Sequence, residues 1–227
     1  MIRRISLPFG LIACVLSTPC AARGQDGAVI EGTLVAGPGP ARKTASRYPA
    51  GITAPREMQP VAAVVYLAGE GLAARPADRA RTVVDVMQRD TEFMPSAITI
   101  RTGTVVRFPN ADPFFHNVFS YARNARFDLG RYPEGESREV AFDEPGIARV
   151  FCEVHEFMRA VVLVTDHPFH AVVADDGSFR LEGVPPGEHT LVWYHPDIGS
   201  VERTVVVRGG ERVRVDLDLG ADRSPAR

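Results

Sequence analysis

The chain has 227 residues, 45% of them hydrophobic, and a formal net charge of −2. Nucleic-acid binding, which calls for a basic face, is disfavoured by that balance, and the length suits one large or two small domains with buried cores. Helical periodicity is scarce, and short runs of Val, Ile, Thr and Phe divided by Gly and Pro predict an all-β protein in sandwich or barrel layers.

Residues 1–22 have the form of an export signal. Arg3 and Arg4 are followed by an apolar stretch over residues 5–16 and by small residues at Pro19-Cys-Ala-Ala22. The apolar run is too short to span a bilayer, so no membrane span is expected. Cleavage near residue 22 would send the protein to an oxidising compartment, the periplasm in a bacterium. Leu11-Ile-Ala-Cys14 also resembles the lipid-attachment box of bacterial lipoproteins, but the apolar segment before it is very short and continues past it. Loss of residues 1–22 removes two arginines and no acidic residue, taking the formal charge from −2 to −4. Cys14 and Cys20 leave with the signal, so Cys152 becomes the only thiol of the mature chain. In an oxidising compartment such a cysteine has no internal disulfide partner and is protected only by burial or by a metal.

Residues 27–72 supply two strands and a loop. Ala28-Val-Ile-Glu-Gly-Thr-Leu-Val35 and residues 62–67 read as strands. Residues 37–62, rich in Pro, Ala and Arg, and residues 69–80 read as loops. Within residues 82–166, Ile98 and Ile100 alternate with Thr99 and Arg101, a turn at Gly103-Thr104 follows, and residues 105–108 form the next strand. Prolines at 109 and 113 then break the chain just before His116, placing it in a loop or at the start of the next strand. Residues 147–151 lead as a strand into Cys152, and residues 160–164 lead out as another. Residues 167–220 read as a small antiparallel unit with hairpin turns at Asp175-Asp-Gly177, Pro185-Pro-Gly187 and Gly209-Gly210. Its last strand alternates Val213, Val215, Leu217 and Leu219 with Arg212, Arg214, Asp216 and Asp218. Residues 221–227 form a tail.

The chemistry concentrates in Phe151-Cys-Glu-Val-His-Glu-Phe-Met158 and, 36 residues upstream of Cys152, in Phe114-Phe-His-Asn117. Cys152, His155, Met158 and His116 offer one thiolate, two imidazoles and one thioether, the ligand set of a mononuclear copper centre for electron transfer. The tight loop between two strands can point three side chains at one atom, and His116 from a second loop at the same end closes the site. Cu(I) favours soft, near-tetrahedral ligation and Cu(II) tetragonal nitrogen and oxygen, so this set is a compromise both states tolerate.

Phe93-Met-Pro, Ile98-x-Ile100, Gly103-Thr-Val-Val106-x-Phe108-x-Asn110-x-Asp112, His116-Asn117 and Cys152-x-x-His155-x-x-Met158-Arg159 together resemble the cupredoxins over residues 83–165. The short ligand loop is closest to that of amicyanin. The resemblance implies a Greek-key β-sandwich with one type 1 copper at its end, bound by His116, Cys152 and His155, with Met158 axial. It also implies that Asn117 braces the two ligand loops by hydrogen bonds. Val154 departs from the family, which usually has proline before the second histidine. The flanks, through Val29-Ile-Glu-Gly-Thr, Pro60-Val-Ala-Ala-Val-Val-Tyr-Leu67, the run from Asp175 to Gly187 and Thr190-Leu-Val-Trp193, resemble a carboxypeptidase-regulatory-like, transthyretin-type β-sandwich. The copper domain would then be inserted between its strands, a pattern similar to periplasmic methylamine-utilisation-like proteins.

Taken singly, a cysteine or methionine usually fills a core. A Cys152–His155 nucleophile pair would need an orienting group and an oxyanion device, and neither is evident. A binuclear copper site would need a second loop cysteine where Glu156 stands. His167, His170, His189 and His195 read as solvated or bonded to backbone, and Glu153 and Glu156 as a charged fringe of the loop. Phe114, Phe115 and Phe157, if exposed, would form an apolar docking patch for redox partner proteins. The expectation is an exported one-electron carrier, with His155 as its port and no catalytic residues. A copper delivery, storage or sensing module without redox turnover is the alternative.

Overall fold

The structure, a computed structural model, describes residues 27–35, 58–69, 71–72 and 82–218. The export segment, the tail and most of both long loops lie outside the described residues. Within them every helix or strand element is a strand. β1 (Ala28–Val35) and β2 (Val64–Ala68) come first. Then follow β3 (Val83–Asp85), β4 (Met87–Arg89), β5 (Glu92–Met94), β6 (Ala97–Arg101) and β7 (Thr104–Pro109). The ligand region spans β8 (His116–Ala122), β9 (Ala125–Tyr132), β10 (Ser137–Phe142), β11 (Gly146–Phe151) and β12 (Arg159–Thr165). The last part holds β13 (His170–Val172), β14 (Ser178–Val184), β15 (Gly187–His195), β16 (Gly199–Val207), β17 (Arg212–Arg214) and β18 (Leu217–Asp218).

β3 to β12 form one sandwich. Its larger sheet has the order β6-β12-β11-β8-β9, its smaller one β10-β7-β3, and β4 and β5 pair as a hairpin. Phe93, Phe108, Val118, Phe142, Val150 and Val162 fill the space between. Ile98 and Ile100 join this core as their alternation predicts. β9 and β10 have no counterpart in the sequence reading. β9 does alternate over its first six residues, with Ala125, Phe127 and Leu129 more buried than Arg126, Asp128 and Gly130, whereas β10 is covered mainly at its end, through Val140, Ala141 and Phe142. β8 and β11 are antiparallel neighbours, with Phe119 opposite Phe151. In this antiparallel register the start of β8 runs alongside the chain just past the end of β11, and this brings His116 to Cys152.

β1 and β2 pair with strands that begin at or after residue 170. One sheet runs β14-β1-β17 with β18 also on β1, the other β13-β2-β15-β16. Ile30, Leu67, Phe179, Leu181, Leu191 and Trp193 pack between them. Gly32 is required here by close approach, because a Cβ on it would sit 1.9 Å from the Val215 carbonyl oxygen. The three turns expected to close hairpins do something else. Those at 175–177, 185–187 and 209–210 each carry the chain from one sheet to the other. Glycine and proline mark where a chain reverses, but the buried face decides which strand receives the ladder bonds. The hairpin in this region is β15–β16, closed by His195 opposite Gly199.

The two sandwiches meet face to face. β12 is buried along its whole length because Ala160, Val162 and Val164 point into the first core. Val161 and Leu163 face the other way, onto Val61, Val64 and Tyr66. A strand covered on both faces reads as a continuous apolar run, which Ala160-Val-Val-Leu-Val164 is.

Candidate metal centre

His116 opens β8, Cys152 follows β11 directly, and His155 and Met158 lie in the loop before β12. The donor atoms of His116, Cys152 and His155 all fall within 4.8 Å of one another. Cys152 Sγ is 3.7 Å from His116 Nδ1, and the two histidine Nδ1 atoms are 3.1 Å apart. His116 and Met158 are fully buried, Cys152 nearly so, and His155 partly exposed. Met158 packs in the same core cluster as Cys152, and its N–H donates to the His155 carbonyl at 2.9 Å.

Asp112 is a site residue that the sequence reading did not assign. Its Oδ2 lies 2.8 Å from His116 Nε2, so the ring donates that N–H to the carboxylate and turns the Nδ1 lone pair toward Cys152 and His155. Asp112 is in turn held by the N–H groups of Asp90 at 2.7 Å and Thr91 at 2.9 Å. Both lie at the tip of the β4–β5 hairpin with φ of 56° and 61°, a left-handed conformation unusual for a β-branched residue. Burial raises the Asp112 pKa, and the bonds from Thr91, His116 and Asp90 outweigh it, so the carboxyl stays below its ordinary range. A buried histidine oriented by a carboxylate through its outer nitrogen is the usual support for a metal-bound imidazole.

Asn117, buried beside His116, joins the two segments that carry the cluster. Its Oδ1 accepts the Glu153 N–H at 2.6 Å, tying the start of β8 to the residue after Cys152. Burial pushes the Cys152 thiol above its ordinary pKa, although the backbone N–H groups of Asn117, His155 and Val154 favour the thiolate. The pocket is therefore rich in lone pairs and poor in positive charge. Donor separations of 3.1 and 3.7 Å suit one ion with bonds of about 2.0–2.1 Å to nitrogen and about 2.3 Å to sulfur. The residues present thus fit a soft or borderline metal ion.

Phe114 packs on His116 and His155 at ring distances of 5.2 and 5.3 Å, and Phe157 lies 5.8 Å from His155. Phe114 and Phe115 are 40% and 55% exposed, so the apolar residues around His155 reach solvent. Glu153 and Glu156 are exposed, and Glu153 pairs with Arg131 at 3.4 Å. The remaining histidines stand outside the cluster. His167 accepts the Phe169 N–H, His189 donates to the Pro185 carbonyl, and His195 accepts the Asp197 N–H. His170 Nδ1 is buried without a hydrogen-bond partner.

Residues 80–165 match the family model described as copper binding proteins, plastocyanin/azurin family. Among solved structures, a purple cupredoxin from Nitrosopumilus maritimus is similar at 22% identity, over 37% of this chain and 99% of that one, with a TM-score of 0.32. A reduced amicyanin variant is similar at 23% identity, over 44% of this chain and 98% of that one, with a TM-score of 0.34. A copper-containing nitrite reductase from Thermus scotoductus is similar at 20% identity, over 58% of this chain and 28% of that one, with a TM-score of 0.36. The family match covers the cluster and both sheets of the first sandwich, leaving the flanking one unmatched. Among the described residues no helix is long and apolar enough to cross a membrane.

Proposed function

We propose that the chain is an exported electron carrier, with one type 1 copper held by His116, Cys152 and His155 and axially by Met158. The observation that carries the reading is the convergence of two Nδ1 atoms and one buried sulfur on one point, inside the segment that matches copper-binding proteins. Copper bound there supplies a one-electron Cu(I)/Cu(II) couple. Asp112 fixes the ring of His116 and Asn117 fixes the loop after Cys152, so the donors are arranged before any ion arrives. His155, partly exposed and ringed by Phe114 and Phe157, offers the port, and the exposed Phe114 and Phe115 offer an apolar surface for an unidentified redox partner.

Residues 27–72 and 167–220 are read as one regulatory-like sandwich interrupted by the copper domain at residues 82–166. Cleavage after the amino-terminal signal and residence in the periplasm complete the proposal. Voltammetry of the copper-loaded protein should give a reversible one-electron wave, with rapid reduction by a small donor. Tight Cu(I) retention with no accessible Cu(II) state would instead identify a delivery, storage or sensing module.

A further inference from the structure

We infer that the flanking sandwich positions the axial thioether, with Gln59 and Asp197 acting as positioning residues for Met158. The inference rests on the reading of Met158 as a copper ligand. Gln59 lies in the lead-in to β2, and Asp197 in the β15–β16 turn. Neither belongs to the sandwich that carries the ligands.

Both chain neighbours of Met158 are fastened to these residues. The Gln59 N–H donates to the Phe157 carbonyl at 3.0 Å. On the other side, Arg159 donates its N–H to Gln59 Oε1 at 3.3 Å and its Nε–H to the Gln59 carbonyl at 2.8 Å. The Gln59 side chain is itself held by Phe93, accepting its N–H at 3.1 Å and donating to its carbonyl at 2.7 Å. The Arg159 guanidinium closes the clamp as a two-pronged pair with Asp197, Nη2 to Oδ2 at 2.6 Å and Nη1 to Oδ1. These side chains are 7% and 12% exposed. A buried bidentate pair is directional, and loss of one partner strands the other charge out of water.

The geometry matters because of where it acts. The axial bond of a His2Cys copper site is long and weak, and it tunes the reduction potential. A weak bond imposes little position of its own, so the protein must hold the thioether in place. Val154 provides no ring to stiffen the loop. The bonds that Phe157 and Arg159 make to Gln59 and Asp197 supply that restraint from the second sandwich.

The test uses the full chain and the variants Asp197→Asn, Gln59→Ala and the milder Arg159→Lys. In metal-free protein, amide hydrogen exchange at Met158 and Arg159 should quicken at least tenfold in Asp197→Asn, while the Glu153 amide, bonded to Asn117, keeps its rate. In copper-loaded protein the reduction potential should rise, by about 59 mV for each tenfold loss of Cu(II) stabilisation relative to Cu(I). Unchanged exchange at 158 and 159 in all three folded variants would overturn the positioning role, as would a lower melting temperature with an unmoved potential. A wild-type protein without a sulfur-to-copper band would defeat the copper reading alone, and the exchange result would still decide whether the flanking sandwich holds this loop.

Discussion

The flanking sandwich packs Ile30, Leu67, Phe179, Leu191 and Trp193 between its sheets, and among its described residues no acidic residue is buried. The inserted sandwich follows the same two-sheet plan, yet near the His116–Cys152–His155 cluster it buries Gln88, Asn110, Asp112, His116 and Asn117 together with Cys152. A buried polar group without a partner costs roughly 2–7 kcal/mol, so a fold keeps such groups only where they are bonded to one another or serve a site. Here most are bonded. Asp112 takes three N–H donors, Asn117 takes the Glu153 amide, and Asn110 donates to the Phe114 and Tyr132 carbonyls. Position within a common architecture thus separates a scaffold from a site. What remains electron-rich after this pairing, two Nδ1 atoms and a sulfur, is left for an ion.

The contrast can be broken most severely in the scaffold. Phe179→Ala removes a ring set edge-on to Trp193 at 5.7 Å and should cost about 3–5 kcal/mol by chemical denaturation. The visible spectrum of the copper-loaded, folded variant should be unmoved. A shifted spectrum would show that the two cores are not separable.

A second test also lies outside the cluster. His170 has its pKa lowered to about 4, by burial first and then by His167 and Arg101. The unfolded chain takes up this proton near pH 6.5 and the folded chain only near 4, so the folded state is favoured above pH 6.5. That contribution is lost progressively as the pH falls from 6.5 toward 4, up to about 3 kcal/mol. His170→Leu should flatten the stability profile across this window in urea titrations of the metal-free protein. An unchanged slope would place the titrating group elsewhere.

A smaller effect sharpens the site side. Asp112→Asn leaves the size of the side chain but removes the charge that holds His116 Nε2–H, and copper affinity should fall about 10- to 100-fold in competition titrations. The same change at Asp85, an exposed partner of Arg107, should leave affinity where it was. Equal losses at both positions would mean that general charge matters, and not orientation of the ring.

Sequence reasoning reached the cluster of His116, Cys152 and His155 because a cysteine and two histidines at that spacing between β-type runs are chemically unusual, and strand pairing then brings these three together. β1, β6, β11 and β12 were legible for a related reason, since their apolar residues either alternate or run without a break. Asp112 was not. An aspartate before proline looks like an ordinary turn residue, and its role depends on a hairpin tip, Asp90 and Thr91, that contains no glycine to announce it. Arg159 and Asp197 lie 38 residues apart on different sandwiches, so their pairing has no local signature. The turns at 175–177, 185–187 and 209–210 are legible as reversals but not as crossings between sheets, because local chemistry does not specify which sheet receives the next strand.

The most direct measurement is the visible absorption spectrum of the copper-loaded full chain recorded beside that of Cys152→Ser. An intense sulfur-to-copper charge-transfer band in the first and its absence in the second is the predicted result. A Cu(II)-loaded wild-type protein with no such band, or a variant that keeps the band, would contradict the proposed ligation by Cys152.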